Sequence, residues 1–247
     1  HLPLLVNAQR KKLSKRRDDV SLLDFLTKGY LPEALVNHLA LLGWGPPDEV
    51  EIRPISEIID LFELENVNKG SAFFDIAKLD HINGFYIRAL PVERFVELAE
   101  PYVYGVDTDV PWETEAFRPE IFAAVAPDVQ ERVEVLDQIP AFVDRLYLDL
   151  VAYDERSWTK VMVKGKSVPE ILDGIIDAFA DVEWTGAALN AAVTAVGDRL
   201  GARSQVPARV AITGRNAGIP MWDATALLSR DVVLRRLETA RELLATG

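Results

Sequence analysis

Hydrophobic residues along the chain recur mostly at the three- and four-residue spacing of an amphipathic helix. Residues 32–43 show this most clearly, with Pro32 in the first turn and Gly43 just after the last apolar residue, the usual places of proline and glycine at helix ends. Apolar residues cover almost all sides of this segment, so the pattern predicts a buried helix. A second helix is predicted after Ser56, and Asp75 is placed to cap a third.

The same period continues through most of the remaining sequence. Further helices are predicted over residues 91–100, 113–125 (broken at Pro119), 129–139, 141–153, 169–180, 186–200 and 231–245. Pro140 is expected to end or kink the helix before it. Residues 158–163 are predicted to form a strand. We therefore expect a mostly α chain with two helical domains joined near residues 90–110.

Composition places the chain among globular proteins, because 49% of its 247 residues are hydrophobic and 27% are charged. The absence of cysteine excludes disulfides and thiolate metal sites, and no apolar run approaches the ~18 residues of a membrane span. The net charge is −12, but residues 1–20 carry +4 and residues 201–247 carry +3, which leaves −19 between them. The acidic middle disfavours general nucleic-acid binding. The basic ends suit contact with a long polyanion, or are simply an uneven solvated surface.

Residue patterns typical of hydrolytic, redox or metal catalysis are missing from the sequence. It has three histidines and no His-x₃-His or Glu-x-x-His spacing. It also has no Walker loop, dinucleotide-binding fingerprint or Gly-x-Ser-x-Gly elbow. His38 falls inside an apolar helix, so we expect a core histidine with satisfied hydrogen bonds rather than a catalytic base.

The strongest candidate for chemistry is the basic run at residues 11–17, in which Lys12 and Lys15 flank Ser14. Two flexible lysines beside a serine can bind the phosphates of a nucleotide and follow the charge that develops during transfer. Short basic runs are also common on solvated surfaces. The loop by itself therefore leaves both interpretations open.

The context of this loop resembles one protein family. HLPLL at residues 1–5 followed by KLSKR at residues 12–16 resembles the second signature loop of class I aminoacyl-tRNA synthetases, in particular the bacterial glutamyl-tRNA synthetases. Three further segments are similar to that family: GYLPEALVNHLALLGW at 29–44, AFFDIAKLDHINGFYI at 72–87 and VAITGR at 210–215. The resemblance extends over nearly the whole chain, and its most specific motifs lie before about residue 90.

The resemblance implies a division of labour along the chain. Residues 1–20 would be the tail of a catalytic domain with its phosphate loop, and residues 21–90 a helical domain that contacts the tRNA stem. Residues 91–247 would be an all-helical anticodon-binding region of two subdomains with a boundary near residue 155. The family's nucleotide-binding catalytic fold, with its first signature, is not in the chain. We therefore expect a fragment that binds tRNA without catalysing its aminoacylation.

The resemblance also implies cofactors and site residues. The family joins glutamate to its tRNA through glutamyl-adenylate with ATP and Mg²⁺, although neither is expected on this fragment alone. The implied catalytic residues are Lys12 and Lys15, and the implied ATP-binding residues are Leu4, Leu5, Leu13, Ser14, Lys15 and Arg16. The implied anticodon contacts are Arg209, Gly218, Met221 and Arg132, and no metal ligand is implied. Backbone groups of the leucines would border adenine, and anticodon bases would be read by stacking and edge hydrogen bonds.

The implied partner is the glutamate tRNA, with no membrane contact, a monomeric state and a cytoplasmic location. A helical protein-interaction scaffold with incidental basic ends remains an alternative, as does a non-catalytic RNA-binding module. A tRNA-modifying paralogue is disfavoured, because such paralogues lack a long helical C-terminal half. A glutaminyl enzyme is disfavoured, because its anticodon half is expected to be a β-barrel.

Overall fold

The computed structural model describes residues 3–14, 21–105 and 109–246, and these residues are mainly helical, as predicted. The α-helices are α1 Leu22–Lys28, α2 Pro32–Ala40, α3 Ile55–Leu61, α4 Ile76–Ala89, α5 Val92–Val103, α6 Pro119–Gln130, α7 Ile139–Val143, α8 Glu155–Ser157, α9 Val168–Asp181, α10 Gly186–Leu200, α11 Gln205–Thr213, α12 Met221–Ala226 and α13 Arg230–Thr246. Short 3₁₀ segments occur at Leu64–Asn66, Thr114–Ala116, Leu136–Gln138 and Asp144–Leu146. Two strands, β1 (Leu5–Val6) and β2 (Ala72–Phe73), pair in parallel. None of the described helices is long and apolar enough to cross a membrane.

The chain divides into two compact units. The first unit comprises His1–Asp109 and Val129–Pro140, and the second comprises Val110–Asp128 and Ala141–Gly247. The core of the first unit contains Phe25, Tyr30, Leu35, Phe74, Leu79 and Val135. In the second unit α9 packs against α10, α11 and α13, and its fully buried side chains include Ile171, Leu172, Ile175 and Phe179.

Side-chain caps set the starts of two helices in the first unit. Asp75 caps α4 as predicted, since its carboxylate accepts a hydrogen bond from the Lys78 amide at 3.2 Å. Ser21 and Asp24 form a capping box at α1, a helix that the periodicity did not predict. The prediction that the helix of residues 32–43 is buried all round is wrong in part. It ends at Ala40, and its residues Val36 and Leu39 are 42% and 48% exposed.

Two prolines depart from prediction. The fourth predicted helix should end before Pro101, but α5 continues through it to Val103. Tertiary packing overrides the missing N–H, because Tyr102 and Val103 are buried and the Tyr102 hydroxyl donates to the Thr27 carbonyl at 3.0 Å. Pro140 does not end a helix but lies in the first turn of α7, where a proline is tolerated.

The predicted helix over residues 129–139 is wrong, because α6 ends at Gln130 and only a 3₁₀ segment precedes α7. Side chains take the backbone groups that a continuing helix would use. Gln138 Oε1 accepts a hydrogen bond from the Glu134 amide at 2.9 Å, and Asn83 donates to the Glu134 carbonyl at 2.5 Å. A helix in this position would lose these contacts.

The predicted helix over residues 141–153 is also wrong, because regular structure stops at the 3₁₀ segment Asp144–Leu146. Arg236 of α13 is fully buried, and its guanidinium binds the carbonyl groups that would otherwise accept helical hydrogen bonds. These carbonyls belong to Arg145 (2.7 Å), Asp149 (3.1 Å) and Leu148. The Arg236 side chain of α13 therefore keeps this segment from forming a regular helix.

The strand predicted at residues 158–163 is wrong, because Trp158–Val163 is a π-helix that continues α8. Asp154 initiates this helical segment by accepting a hydrogen bond from the Ser157 amide at 2.7 Å. Met162 is the residue of the π-helix that becomes buried. The cap and this single buried side chain favour helix over the β-propensity of the segment.

Candidate functional site

The start of the predicted phosphate loop is held by backbone pairing on both sides of β1. The Leu5 carbonyl accepts a hydrogen bond from the Leu13 amide at 3.1 Å, and the Leu4 carbonyl accepts one from the Ala72 amide at 3.0 Å. The Leu13 amide is therefore engaged within the protein. A ligand at this site would have to use other backbone groups.

Because the Leu13 amide bonds to the Leu5 carbonyl, residues 5–13 form a hairpin, and a tight turn joins its two arms. Asn7 Oδ1 accepts hydrogen bonds from the amides of Gln9 (3.1 Å) and Lys11 (3.0 Å). Arg10 closes the turn with φ +57°, a left-handed conformation that suits glycine better than arginine. The turn thus combines a side-chain clamp with local backbone strain.

Three of the six residues implied for ATP binding, Leu4, Leu5 and Leu13, lie around one cavity of about 340 Å³, together with the implied catalytic residue Lys12. The cavity is lined by Leu4, Leu5, Lys12, Leu13, Leu22, Phe25, Leu35, Leu39 and Phe74. Ser14 follows directly and is partly buried, whereas Lys15 and Arg16 lie outside the described residues. Ligand pockets in proteins are typically ~300–1,000 Å³ and mainly apolar, so the cavity has the size and character of a small one.

The lining residues fit one part of ATP better than the other. Leucine and phenylalanine side chains can cover the face of a nucleobase, while Lys12 supplies the positive charge of the described lining. Among the residues that the structure describes, no group of three or more His, Asp or Glu side chains could hold a metal ion. The described lining therefore suits a flat apolar group such as a nucleobase.

Three of the four implied anticodon contacts lie close together in the sequence of the second unit. Arg209 on α11 donates from Nη1 to the Ile219 carbonyl at 3.2 Å, which ties it to the loop before α12. Gly218 in this loop has φ +147°, and Met221 at the start of α12 is only 6% exposed. Arg132 belongs to the first unit and follows α6.

Sequence analysis missed a cluster of guanidinium groups around Arg209. We name Arg145, Arg209, Arg215 and Arg236 the arginine cluster. Arg145 is 4% exposed and Arg236 is fully buried, while Arg215 forms an ion pair with Asp144. The available signal was an arginine inside the largely apolar stretch of residues 141–148.

The charges of the arginine cluster act on one another. Burial lowers the pKa of Arg145 to about 10, the Asp144 carboxylate opposes this shift, and the positive charges of Arg215, Arg209 and Arg236 add to it. Burial also lowers the pKa of Arg236 to about 10. Both groups keep their charge at neutral pH, so the cluster concentrates positive charge in an acidic chain.

The Arg145 guanidinium lies directly against Gly218. A Cβ atom at position 218 would stand 3.2 Å from both Nη1 and Nη2 of Arg145, closer than nearly all real Cβ contacts. Nη2 of Arg145 is buried and has no hydrogen-bond partner among the described residues. Both the backbone angle at Gly218 and the close approach of the Arg145 guanidinium therefore favour glycine at this position.

The structure corrects the interpretation of His38 and shows a side-chain contact of Trp222. His38 is buried at 1% exposure, but neither ring nitrogen has a partner in the described residues, so the expectation of a satisfied histidine is wrong. Its pKa is lowered, first by burial and then by Lys78, which keeps it neutral. Trp222 donates from Nε1 to Gln205 Oε1 at 3.0 Å and contributes to the fold of the second unit.

Comparison with known proteins finds two family models that match different parts of the chain. The model of the anticodon binding domain matches residues 94–241, and the model of the catalytic domain of class I tRNA synthetases (E and Q) matches residues 1–81. The glutamate–tRNA ligase of Thermobifida fusca (strain YX) is 48% identical over 250 residues, which are 99% of this chain and 52% of that relative. The glutamate–tRNA ligase of Frankia casuarinae is 44% identical, covering 100% of this chain and 52% of its own.

Solved structures agree on the fold. A glutamate tRNA ligase from Elizabethkingia meningosepticum superposes with a TM-score of 0.75 at 21% identity, over 99% of this chain and 51% of that one. The chain spans about half the length of the curated relatives that it matches. Since the anticodon-binding model alone covers more than half of the chain, the chain belongs to the anticodon-binding family, and its similarity to the glutamyl-tRNA synthetases is confirmed.

Proposed function

We propose that the chain is the tRNA-recognition half of a glutamate–tRNA ligase, which attaches glutamate to its tRNA through ATP-dependent formation of glutamyl-adenylate. The arginine cluster carries this proposal. It places four guanidinium groups and the Asp144 carboxylate together within the segment that matches the anticodon-binding model. In a chain with a net charge of −12, such a local positive site suits an RNA ligand.

Three segments divide the function. Residues 1–20 belong to the tail of a catalytic domain, residues 21–90 contact the tRNA stem, and residues 91–247 bind the anticodon arm as two subdomains with a boundary near residue 155. The chain alone binds tRNA as a cytoplasmic monomer and does not aminoacylate it. The acidic residues between the basic ends face away from the RNA, which leaves a narrow track of arginines for contact.

In the complete ligase, the hairpin and its cavity hold ATP. Leu4, Leu5 and Leu13 lie against the adenine, and Lys12 contributes positive charge beside it. Lys15, Ser14 and Arg16 extend this site toward the phosphates. When bound, ATP would supply the adenylyl group that activates the glutamate carboxylate, with pyrophosphate as the leaving group. The apolar lining of the cavity supports the base-binding part of this proposal.

At the other site, Arg209 reads an anticodon base while Gly218 and Met221 shape the surface beside it. The bond from Arg209 to the Ile219 carbonyl holds one end of the guanidinium and sets its direction. Arg132, which lies in the first unit, contacts the anticodon arm as well. Base contacts specify the RNA, whereas phosphate contacts only position it.

The test is a titration of the chain with glutamate tRNA and with an anticodon-substituted tRNA at two salt concentrations. Arg209→Ala should weaken binding of the cognate tRNA by about 1–3 kcal/mol, and its effect should vanish with the substituted anticodon. The log–log salt slope should be roughly −2 to −4, since only ~3–5 phosphates are contacted. The matched control is Arg203→Ala, because Arg203 is an exposed arginine of the same unit.

Two results would contradict these assignments. Equal weakening of both tRNAs by Arg209→Ala would make Arg209 a phosphate contact. If the unaltered chain binds neither tRNA, the alternative of a protein-interaction scaffold is favoured instead.

A further inference from the structure

Arg145 combines burial, charge and an unused donor, a combination that a folded protein rarely tolerates. Its side chain is 4% exposed, yet Nη2 has no acceptor among the described residues. A buried polar group without a partner destabilises the fold, and a charged one does so more strongly. Such a group in a native structure calls for an explanation, and a missing ligand is one.

The interior leaves no room for an acceptor larger than one water molecule. The cavity beneath Arg145, which Met221 and Arg236 also line, has a volume of only about 10 Å³. That is at the lower limit for a single water molecule and excludes any larger ligand. An acceptor of greater size must therefore approach from outside.

Gly218 lies directly against the guanidinium. Both terminal nitrogens of Arg145 lie 3.2 Å from the place that a Cβ at position 218 would occupy. The guanidinium thus fills the space that a side chain at position 218 would otherwise take. Gly218 itself is partly exposed, and Arg209 is bonded to the neighbouring Ile219, so this contact belongs to the implied anticodon site.

We propose that Arg145 is a further RNA-binding residue, whose guanidinium donates to an acceptor oxygen of an RNA bound at Gly218. This inference rests on the proposed function. Arg145 thereby adds a donor beneath the loop before α12, in addition to the donor that Arg209 of α11 provides. Asp144 supports the arrangement, because its carboxylate accepts a hydrogen bond from the Arg145 amide at 2.7 Å and holds Arg215 on its other oxygen.

The proposal predicts that removing the Arg145 guanidinium weakens tRNA binding without lowering the stability of the fold. Arg145→Met keeps a long unbranched side chain but removes the charge and the donor. Because Nη2 has no partner in the described residues, we expect the unfolding midpoint to stay equal or to rise, while affinity for glutamate tRNA falls roughly tenfold or more. The control Arg203→Met removes an exposed charge from the same unit and should change affinity less than about threefold, as for a loss of long-range charge alone.

A second variant tests the contact at Gly218. Gly218→Ala should also weaken tRNA binding, since its methyl group would press on the guanidinium. Gly201→Ala is its matched control, because Gly201 also has positive φ (+60°) but has no neighbouring atom within 4 Å of the place that a Cβ would occupy. If Arg145→Met lowers the unfolding midpoint strongly, the comparison of these two glycine variants decides.

The outcomes are distinguishable. Loss of affinity that disappears with an anticodon-substituted tRNA assigns the acceptor to a base, and equal loss with both tRNAs assigns it to a phosphate. Either result supports the proposal. If Arg209→Ala weakens binding while Arg145→Met and Gly218→Ala match their controls, this inference is wrong and the proposed function stands. If the unaltered chain binds no tRNA, both are wrong.

Discussion

Each unit of the chain buries a side chain whose nitrogen has no partner in the described residues, and the two units handle its charge differently. In the first unit, burial lowers the pKa of His38 below its ordinary value of 6.5, so the imidazole is neutral at pH 7. In the second unit, burial lowers the pKa of Arg145 only to about 10, so the guanidinium remains charged. A neutral group leaves a sensitivity to acid, whereas a persistent charge leaves a place for an anionic or polar ligand.

The two candidate sites also differ in the groups that form them. The cavity of the first unit is formed by apolar side chains and a backbone hairpin, with Lys12 on its lining. The site of the second unit is formed by arginines that are buried or bonded to main-chain carbonyls. The first site therefore depends on hairpin geometry, and the second on how each guanidinium is paired.

The largest expected effect concerns Arg236. Each nitrogen of its guanidinium has a hydrogen-bond partner, in contrast to Nη2 of Arg145. Arg236→Met should destabilise the second unit by at least about 2 kcal/mol, because the buried hydrogen bonds to the Arg145 and Ile212 carbonyls would be lost and each unsatisfied carbonyl costs ~1–3 kcal/mol. Urea unfolding followed by tryptophan fluorescence measures this, since Trp184 and Trp222 lie in the second unit.

The matched control for Arg236 is its neighbour Arg235. Its side chain is 54% exposed and makes a 3.7 Å ion pair with Asp149, which is itself largely exposed. Arg235→Met should change the free energy of unfolding by no more than ~0.5 kcal/mol. Equal effects of the two substitutions would show that burial and carbonyl pairing do not distinguish these arginines.

An effect of intermediate size is expected from His38 on lowering the pH. The unfolded chain takes up a proton near pH 6.5, while the folded state resists it because its pKa is lowered. Stability of the first unit is thus full above pH 6.5 and is lost as the pH falls, with a slope of up to about 1.4 kcal/mol per pH unit. Hydrogen exchange of α2 and α4 amides between pH 8 and 5 measures the slope.

His38→Leu should remove that contribution to the slope. His81→Gln should leave it in place, because His81 is exposed on α4. An unchanged slope in the leucine variant would mean that another group gives rise to the pH dependence of the first unit.

The smallest effect concerns the hairpin. Arg10→Gly should stabilise the turn by about 0.5–1 kcal/mol, because the left-handed conformation at φ +57° costs arginine more than glycine. Slower hydrogen exchange of the Leu13 amide would indicate this. Ala8→Gly in the same turn should have the opposite sign, since Ala8 is not among the residues with positive φ and glycine there only adds freedom to the unfolded chain.

Local signals in the sequence were sufficient for some elements. The Asp75 cap and the bounds of α10 are read directly from residue type and period. Residues 131–153 could not be predicted in this way, because the groups that shape them lie far along the chain. Asn83 reaches Glu134 across 51 residues, and Arg236 reaches Asp149 across 87.

The candidate sites show the same limit. Lys12 and Arg209 are predicted as site residues because they lie in or beside segments that resemble a known family. Arg145 is not, because an arginine in a periodic apolar segment is assigned to the surface unless its burial is known. Its Nη2 donor, which has no partner among the described residues, is a property of its surroundings in three dimensions.

The large sequence separation between Arg236 and its acceptors also affects the order in which the second unit folds during synthesis. Its guanidinium binds the carbonyl of Arg145, 91 positions earlier in the chain. At a synthesis rate of ~5–20 residues per second, the donor is made roughly 5–18 s after its acceptor. During translation, the segment around Arg145 therefore waits for α13, and the second unit can close its core only once that helix has left the ribosome.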